Sequence, residues 1–235
     1  MGLDNKKTIL VEFIGTFFLC LFILCARAYN AALTNGNWDY FLALSTCLFF
    51  SLPAYGDTII TLNPATMLTY LFSKKIEIKH FGLGVLFQFL GAFLAAGAFN
   101  LMRTEDPEVR VQEYASIPPY DTWTNIYENL LGSFIFMICI RLVSEGPMNS
   151  DLPKCYHKYA IALMWMACIS SFCKSTRSPL NPALDLSPRI WSLFKHEGKA
   201  FEESDGYFWI PLAIPFGGTT LGWLFYEFIV DKHMK

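Results

Sequence analysis

Six long apolar runs, separated by short polar breaks, dominate the chain: Ile9–Ala28, Phe41–Tyr55, Phe81–Leu101, Ile126–Val143, Tyr159–Cys173 and Phe208–Val230. A hydrocarbon core about 30 Å thick is crossed by roughly 20 apolar residues in a helix, so each run predicts a span, the second and fifth being short for it. Two more apolar stretches, Leu62–Phe72 and Leu180–Leu193, are too short to cross. Near the start of each stands the same tripeptide, Asn63-Pro64-Ala65 and Asn181-Pro182-Ala183. Proline suits a first helical turn because the amide it lacks would be unpaired there, and Asn ahead of it is a favoured N-cap. Each stretch therefore predicts a half-helix of about ten residues, about 15 Å long, reaching half-way through a bilayer. At that depth such a helix is tolerated only if it is buried in protein or lines a watery cavity.

The pattern repeats. Glu12-Phe13-Ile14-Gly15-Thr16-Phe17 in the first run is echoed by Glu128 and Leu131-Gly132-Ser133-Phe134 in the fourth. From Gly15 to Asn63 is 48 residues, and from Gly132 to Asn181 is 49. Three spans per repeat is an odd number, so the halves, about 8–115 and 120–231, lie with opposite orientation in one domain covering 1–235. The expected fold is an all-α membrane protein with six transmembrane helices and two re-entrant half-helices in an inverted 3+3 repeat. The half-helices enter from opposite faces and meet near the midplane. Two N-termini there bring together dipole ends each equivalent to about half a positive charge. Such ends repel cations and protons while their amides serve a neutral hydroxyl-bearing solute.

Composition narrows the class further. Hydrophobic residues are 54% of the chain and charged residues only 16%, too few charges for a soluble surface. A net charge of −2 excludes a strongly basic nucleic-acid binder. Lys6, Lys7, Lys74, Lys75 and Lys79 against a Lys/Arg-free Asn30–Tyr40 loop predict cytoplasmic termini on a multi-pass protein of the plasma membrane or an internal membrane. The Arg103–Thr122 loop is then an outer, solvated connector. Seven cysteines form no CxxC pair and six lie in apolar runs, where a thiol behaves as a small hydrophobe, so neither metal nor cofactor is expected. His80, His157, His196 and His233 fall in predicted loops or tails, with no nucleophile–base arrangement, and no enzyme is expected.

These residues, together with Gln88-Phe89-Leu90-Gly91-Ala92, Asn181 through Arg189, and Phe208-Trp209-Ile210-Pro211-Leu212-Ala213-Ile214-Pro215 through Tyr226, resemble the major intrinsic protein family, the aquaporins and aquaglyceroporins. The resemblance runs almost end to end and implies a homotetramer in a lipid bilayer, with a pore for small neutral solutes in each subunit. Asp185 after the second motif, the long Phe194–Tyr207 connector, and Pro211-Leu212 or Pro215-Phe216 are similar to the glycerol-conducting branch. That branch implies glycerol, related small polyols and water; urea or peroxide as further solutes follow from the altered constriction below. Asp185 equally suits a plainer role, stabilising a helix N-terminus.

The family's outer constriction carries an Arg directly after the second motif; here that residue is Leu184. By the family's spacing the rest of the ring falls on Ala43, Ile169 and Ser178, leaving neither guanidinium nor aromatic face. Arg177 is the nearby alternative charge, with a plainer reading as a solvent-facing residue; Arg189 is expected to tie down the outer loop. Asp57-Thr58-Ile59-Ile60-Thr61 also departs from the family, which prefers a small residue and a His there. Glu12 and Glu128, matched in the two repeats, are expected to hold the half-helix loops. Two rivals to an open pore remain: a divergent, nearly closed or scaffold-type member of the family, and an ion-coupled secondary carrier.

Overall fold

A backbone in hydrocarbon must satisfy its own amides and carbonyls, and a helix does this within one segment. The computed structural model describes residues 3–32, 61–103, 111–118, 121–146, 152–173, 176–196 and 199–234, and among these every regular element is helical. The order is α1 (Leu3–Ala32), α2 (Pro64–Phe72), α3 (Ile78–Met102), α4 (Val111–Tyr114), α5 (Thr122–Ser144), α6 (Lys154–Phe172), α7 (Pro182–Trp191), α8 (Leu193–His196), α9 (Lys199–Gly206) and α10 (Trp209–Phe225). A π-helical turn (Tyr226–Val230) and α11 (Asp231–Met234) continue α10. Five of the six expected spans correspond to α1, α3, α5, α6 and α10 with its continuation. The sixth, Phe41–Tyr55, lies outside the described residues, as do Ala43 and Asp57–Ile60. Among the described residues, three helices, covering Lys6–Ala28, Ile78–Met102 and Thr122–Ser144, are long and apolar enough to cross a membrane.

The two halves pack by the same device. In the first, α3 crosses α1 at Gly91, where an added Cβ would lie 2.5 Å from the Phe13 carbonyl oxygen. In the second, α10 crosses α5 at Gly218, where a Cβ would lie 2.5 Å from the Leu130 oxygen and 2.7 Å from the Ser133 Cβ. Lipid tails are as apolar as the side chains, so helices associate here through close backbone approach and hydrogen bonds. Thr219, one residue on, donates to the Ala65 carbonyl at 3.1 Å and so joins the last span to the first half-helix.

The short helices begin where the tripeptides predict. Asn63 (φ −149°) caps α2 by accepting from the amides of Ala65 and Thr66, and Asn181 (φ −143°) caps α7 by accepting from Ala183. The chain leading into α2 is held by Glu12, fully buried in α1. Its carboxylate accepts from the Thr61 and Leu62 amides, both at 2.8 Å, and from Gln88 Nε2 of α3, also at 2.8 Å. This is the work expected of Glu12.

The connector between α3 and α5 differs from expectation. Instead of a solvated link, Glu113, Tyr114, Ala115 and Ser116 are buried. Their backbone is bonded by side chains from both halves, which draws the segment down onto the protein.

Two stability outcomes follow from this packing. Gly218→Val drives a side chain into the α5 backbone and lowers the thermal midpoint in detergent, by overpacking worth about 1–3 kcal/mol or more. Gly217→Ala, whose Cβ meets only Leu130 Cδ1 at 3.7 Å, leaves the midpoint unchanged. Glu12→Ala strands three buried donors at about 1–3 kcal/mol each, so it lowers the midpoint more than any surface substitution on α1.

Candidate functional site

The residues before each cap take an unusual backbone conformation. Leu62 (φ 48°) and Leu180 (φ 53°) are in the left-handed region. This is costly for a bulky residue and persists where surroundings over-determine it. The surroundings are the opposite half. Asn63 Nδ2 donates to the Leu180 carbonyl at 2.9 Å, and Asn181 Nδ2 donates to the Leu62 carbonyl at 2.6 Å. Each asparagine thus caps its own half-helix with its oxygen and closes the other half's loop with its nitrogen. An amide nitrogen has two hydrogens, and each Asn uses one in this exchange. The N-termini of α2 and α7 are thereby brought to one place, as the sequence predicts. Pro64 and Pro182 occupy the first turns; Pro64, Ala65, Pro182 and Ala183 are all buried.

The loop into Asn181 is not held as the loop into Asn63 is. Pro179 stands two residues before Asn181, where Thr61 stands before Asn63, and it has no amide to offer a carboxylate. The Leu180 amide instead donates to Ser178 Oγ at 3.3 Å, and Ser178 Oγ donates to Asn129 Oδ1 at 2.5 Å. Trp165 of α6 donates to the Pro179 carbonyl at 3.0 Å. A helix-to-loop tie is therefore made by Asn129, the neighbour of Glu128. Glu128 gives its backbone carbonyl to Cys173 Sγ at 3.9 Å.

Of the four constriction candidates, three are described. Ser178 is committed to Asn129 and has no exposed surface, while Ile169 and Leu184 belong to one buried apolar cluster. An apolar side chain after the second cap packs inward because it has nothing to donate. Arg177 (φ 54°) is exposed, in line with its plainer reading.

Charge enters beside that loop from other elements. Asp185 Oδ1 accepts from Arg189 Nη2 at 2.7 Å and Nε at 2.9 Å, and Asp185 Oδ2 accepts from the Ser116 amide at 2.9 Å. Arg189 also donates to the Ser116 carbonyl at 2.8 Å and to the Ala200 carbonyl. It therefore ties both long connectors to α7, as expected. Arg27, in the last turns of α1, was not singled out by the sequence reading. It is 6% exposed and donates to the Tyr114 carbonyl at 3.3 Å, Ser116 Oγ at 3.1 Å and the Arg177 carbonyl at 3.3 Å. The available signal was a charge just inside the end of an apolar run.

At the opposite face Arg141, fully buried at the end of α5, plays a matching part. It donates to Ser73 Oγ at the C-cap of α2 at 2.5 Å and to Glu227 of the π-helical turn at 2.9 Å, and it also pairs with Glu145. Lys75 pairs with Glu145 at 2.5 Å. The end of α2, the end of α5 and the C-terminal turns thus share one face.

Membrane-length helices thus pack with two half-helices whose capping asparagines close each other's loops. Human aquaporin-10 is 26% identical to this chain over 244 residues, covering 95% of the chain and 81% of the relative. Human aquaporin-9 is 25% identical over 252 residues, covering 97% and 83%. The solved structure of the aquaglyceroporin from Plasmodium falciparum has the same fold, with a TM-score of 0.82, 23% identity and 98% of both chains covered. The Major intrinsic protein family matches residues 2–226, and the chain belongs to that family of six-span helical membrane channels.

Proposed function

We propose that the chain is a passive channel for small uncharged solutes, chiefly glycerol, related polyols and water, which turns back ions and protons where the two half-helices meet. The observation that carries this reading is the reciprocal bonding of Asn63 and Asn181 to Leu180 and Leu62, which sets two helix N-termini tip to tip. Each tip brings the positive end of a dipole, and each asparagine has a second N–H for a hydroxyl oxygen. A cation at that point meets two like partial charges and loses its water; a neutral solute loses only hydrogen bonds that the amides replace.

The similarity to aquaporin-9, aquaporin-10 and the Plasmodium aquaglyceroporin supports glycerol and water as solutes. An ion-coupled carrier is disfavoured by the state of Glu12: the buried carboxylate accepts from three donors and is committed to the loop. The working assembly is a homotetramer of single-domain subunits, each with its own passage. Both termini lie on the cytoplasmic side; the shared face of the α2 end and the C-terminal turns agrees with that arrangement.

One observation favours a second reading, a tight or nearly closed neck. Ile169 and Leu184 are buried together in the apolar cluster on the Arg27 side of the junction. Under that reading solutes pass slowly, and less easily as they grow.

Three outcomes test these readings. Liposomes holding the purified protein reswell faster than empty ones in a glycerol gradient, without added proton conductance; equal rates for the two would leave the nearly closed reading in place. Urea, glycerol and water measured in parallel give the size dependence of the neck. Asn181→Ala removes the cap on α7 and the bond to the Leu62 carbonyl together. It lowers glycerol flux and costs about 1–2 kcal/mol of stability, the cap alone contributing about 1.

A further inference from the structure

The second half-helix carries no cation in its first turn, where Leu184 packs into the apolar cluster. A buried guanidinium nevertheless reaches the same stretch of chain from α1. Arg27 Nη2 donates to the Arg177 carbonyl, at the head of the four residues that lead into Asn181. Ser116 Oγ, which accepts from Arg27, donates to the same carbonyl at 3.1 Å.

Every oxygen that Arg27 touches is neutral: the Tyr114 and Arg177 carbonyls and the Ser116 hydroxyl. The nearest bonded acid, Asp185, has one oxygen doubly occupied by Arg189 and the other by the Ser116 amide. Arg189 and Asp185 cancel, so Arg27 leaves a surplus positive charge. Its Nε is buried and has no partner, although a guanidinium carries five N–H donors in a rigid fork. Burying a cation on neutral acceptors with a donor left over is expensive, and a purely structural tie would be cheaper with an uncharged amide. A fixed charge beside a passage for neutral solutes, in contrast, has a use that an amide cannot fulfil.

We propose that Arg27 supplies the positive charge of the neck on the Arg177 side of the junction and is a specificity-determining residue there. Its charge repels cations before they reach the half-helix tips. The helix that carries this charge belongs to the first repeat, while the loop it acts on belongs to the second. This rests on the reading of the chain as a channel, so the test has one arm that needs transport and one that does not.

In liposomes, the transport arm compares proton and methylammonium leak per unit of glycerol flux. Arg27→Met raises that ratio about tenfold or more, because one like charge close to the path is lost. Arg27→Lys, which keeps the charge but cannot reach three acceptors, stays near the unmodified protein, whereas a structural tie would be broken by Lys and Met alike. Moving the cation, in Arg27→Met with Leu184→Arg, returns the ratio toward its starting value. An unchanged ratio in a folded Arg27→Met protein overturns the proposal, as does equal leak from the Lys and Met variants.

The second arm uses Arg27→Cys and an anionic, membrane-impermeant methanethiosulfonate reagent, with labelling read by mass against the native cysteines of the unmodified protein. Labelling of the new thiol places position 27 on the water-filled path even if no glycerol flux is found. Absence of labelling in folded protein that conducts glycerol removes Arg27 from the neck while leaving the channel reading intact. Where Arg27→Met does not purify folded, the Lys and Cys variants decide.

Discussion

Everything near the midplane depends on two amides crossing between the halves. The bond from Asn63 to the Leu180 carbonyl spans 117 residues of sequence, and that from Asn181 to the Leu62 carbonyl spans 119. Each bond holds in place a leucine whose left-handed backbone would otherwise relax, and each relaxed leucine would release the cap behind it. The strain at Leu62 and Leu180 and the exchange of amides are one unit: neither loop is complete without the other half. Buried hydrogen bonds between helices in lipid are individually modest, about 0.6 kcal/mol on average. The junction is therefore secured by number and geometry, with Glu12, Gln88, Asn129, Ser178 and Trp165 each fixing one segment of loop.

The parts of this design that were legible in the sequence are those written in local chemistry. Apolar length marks spans, and Asn-Pro opens a helix wherever it sits. Recurrence of the pair at a matching offset made the meeting of the two tips readable before any coordinates. Glu12 was readable too, because an acid inside an apolar run must find donors. For Glu128 the same argument runs only by analogy, and the second loop offers fewer donors. Pro179 removes one amide that a carboxylate would need, and Asn129, one residue along, takes the loop through Ser178. A one-residue step on a helix turns a side chain through about 100°, and only three-dimensional contact reveals which of two neighbours faces the loop.

Long-range closure is also why the connector and Arg27 were missed. Residues 111–118 lie between two long apolar runs, with an acid, a Gln and a Ser among them, which reads as a solvent loop. Glu113 to Ser116 are buried because Asp185, Arg189 and Arg27 all bond the backbone or hydroxyl of this segment. Ser116 alone has its amide, carbonyl and hydroxyl engaged by residues from α1, α7 and the loop before it. Nothing in the composition of the segment announces that three distant groups will meet it. The constriction positions counted from the family's spacing had the same weakness, since a position on a ring says nothing about which other helix supplies a missing charge.

Each half-helix ends on a buried arginine at the face from which it enters. Arg141 bonds Ser73 at the end of α2, and Arg189 lies within the last turn of α7. A short helix has opposite partial charges at its two ends, and over about 15 Å the far negative end would offset much of the near positive one. Each guanidinium is itself paired with carboxylates, Arg141 with Glu145 and Glu227 and Arg189 with Asp185, so what it secures is the position of the helix end. Each stub is thus clamped at its outer end as well as at its tip, and trimming either arginine would loosen an aim taken half a membrane away.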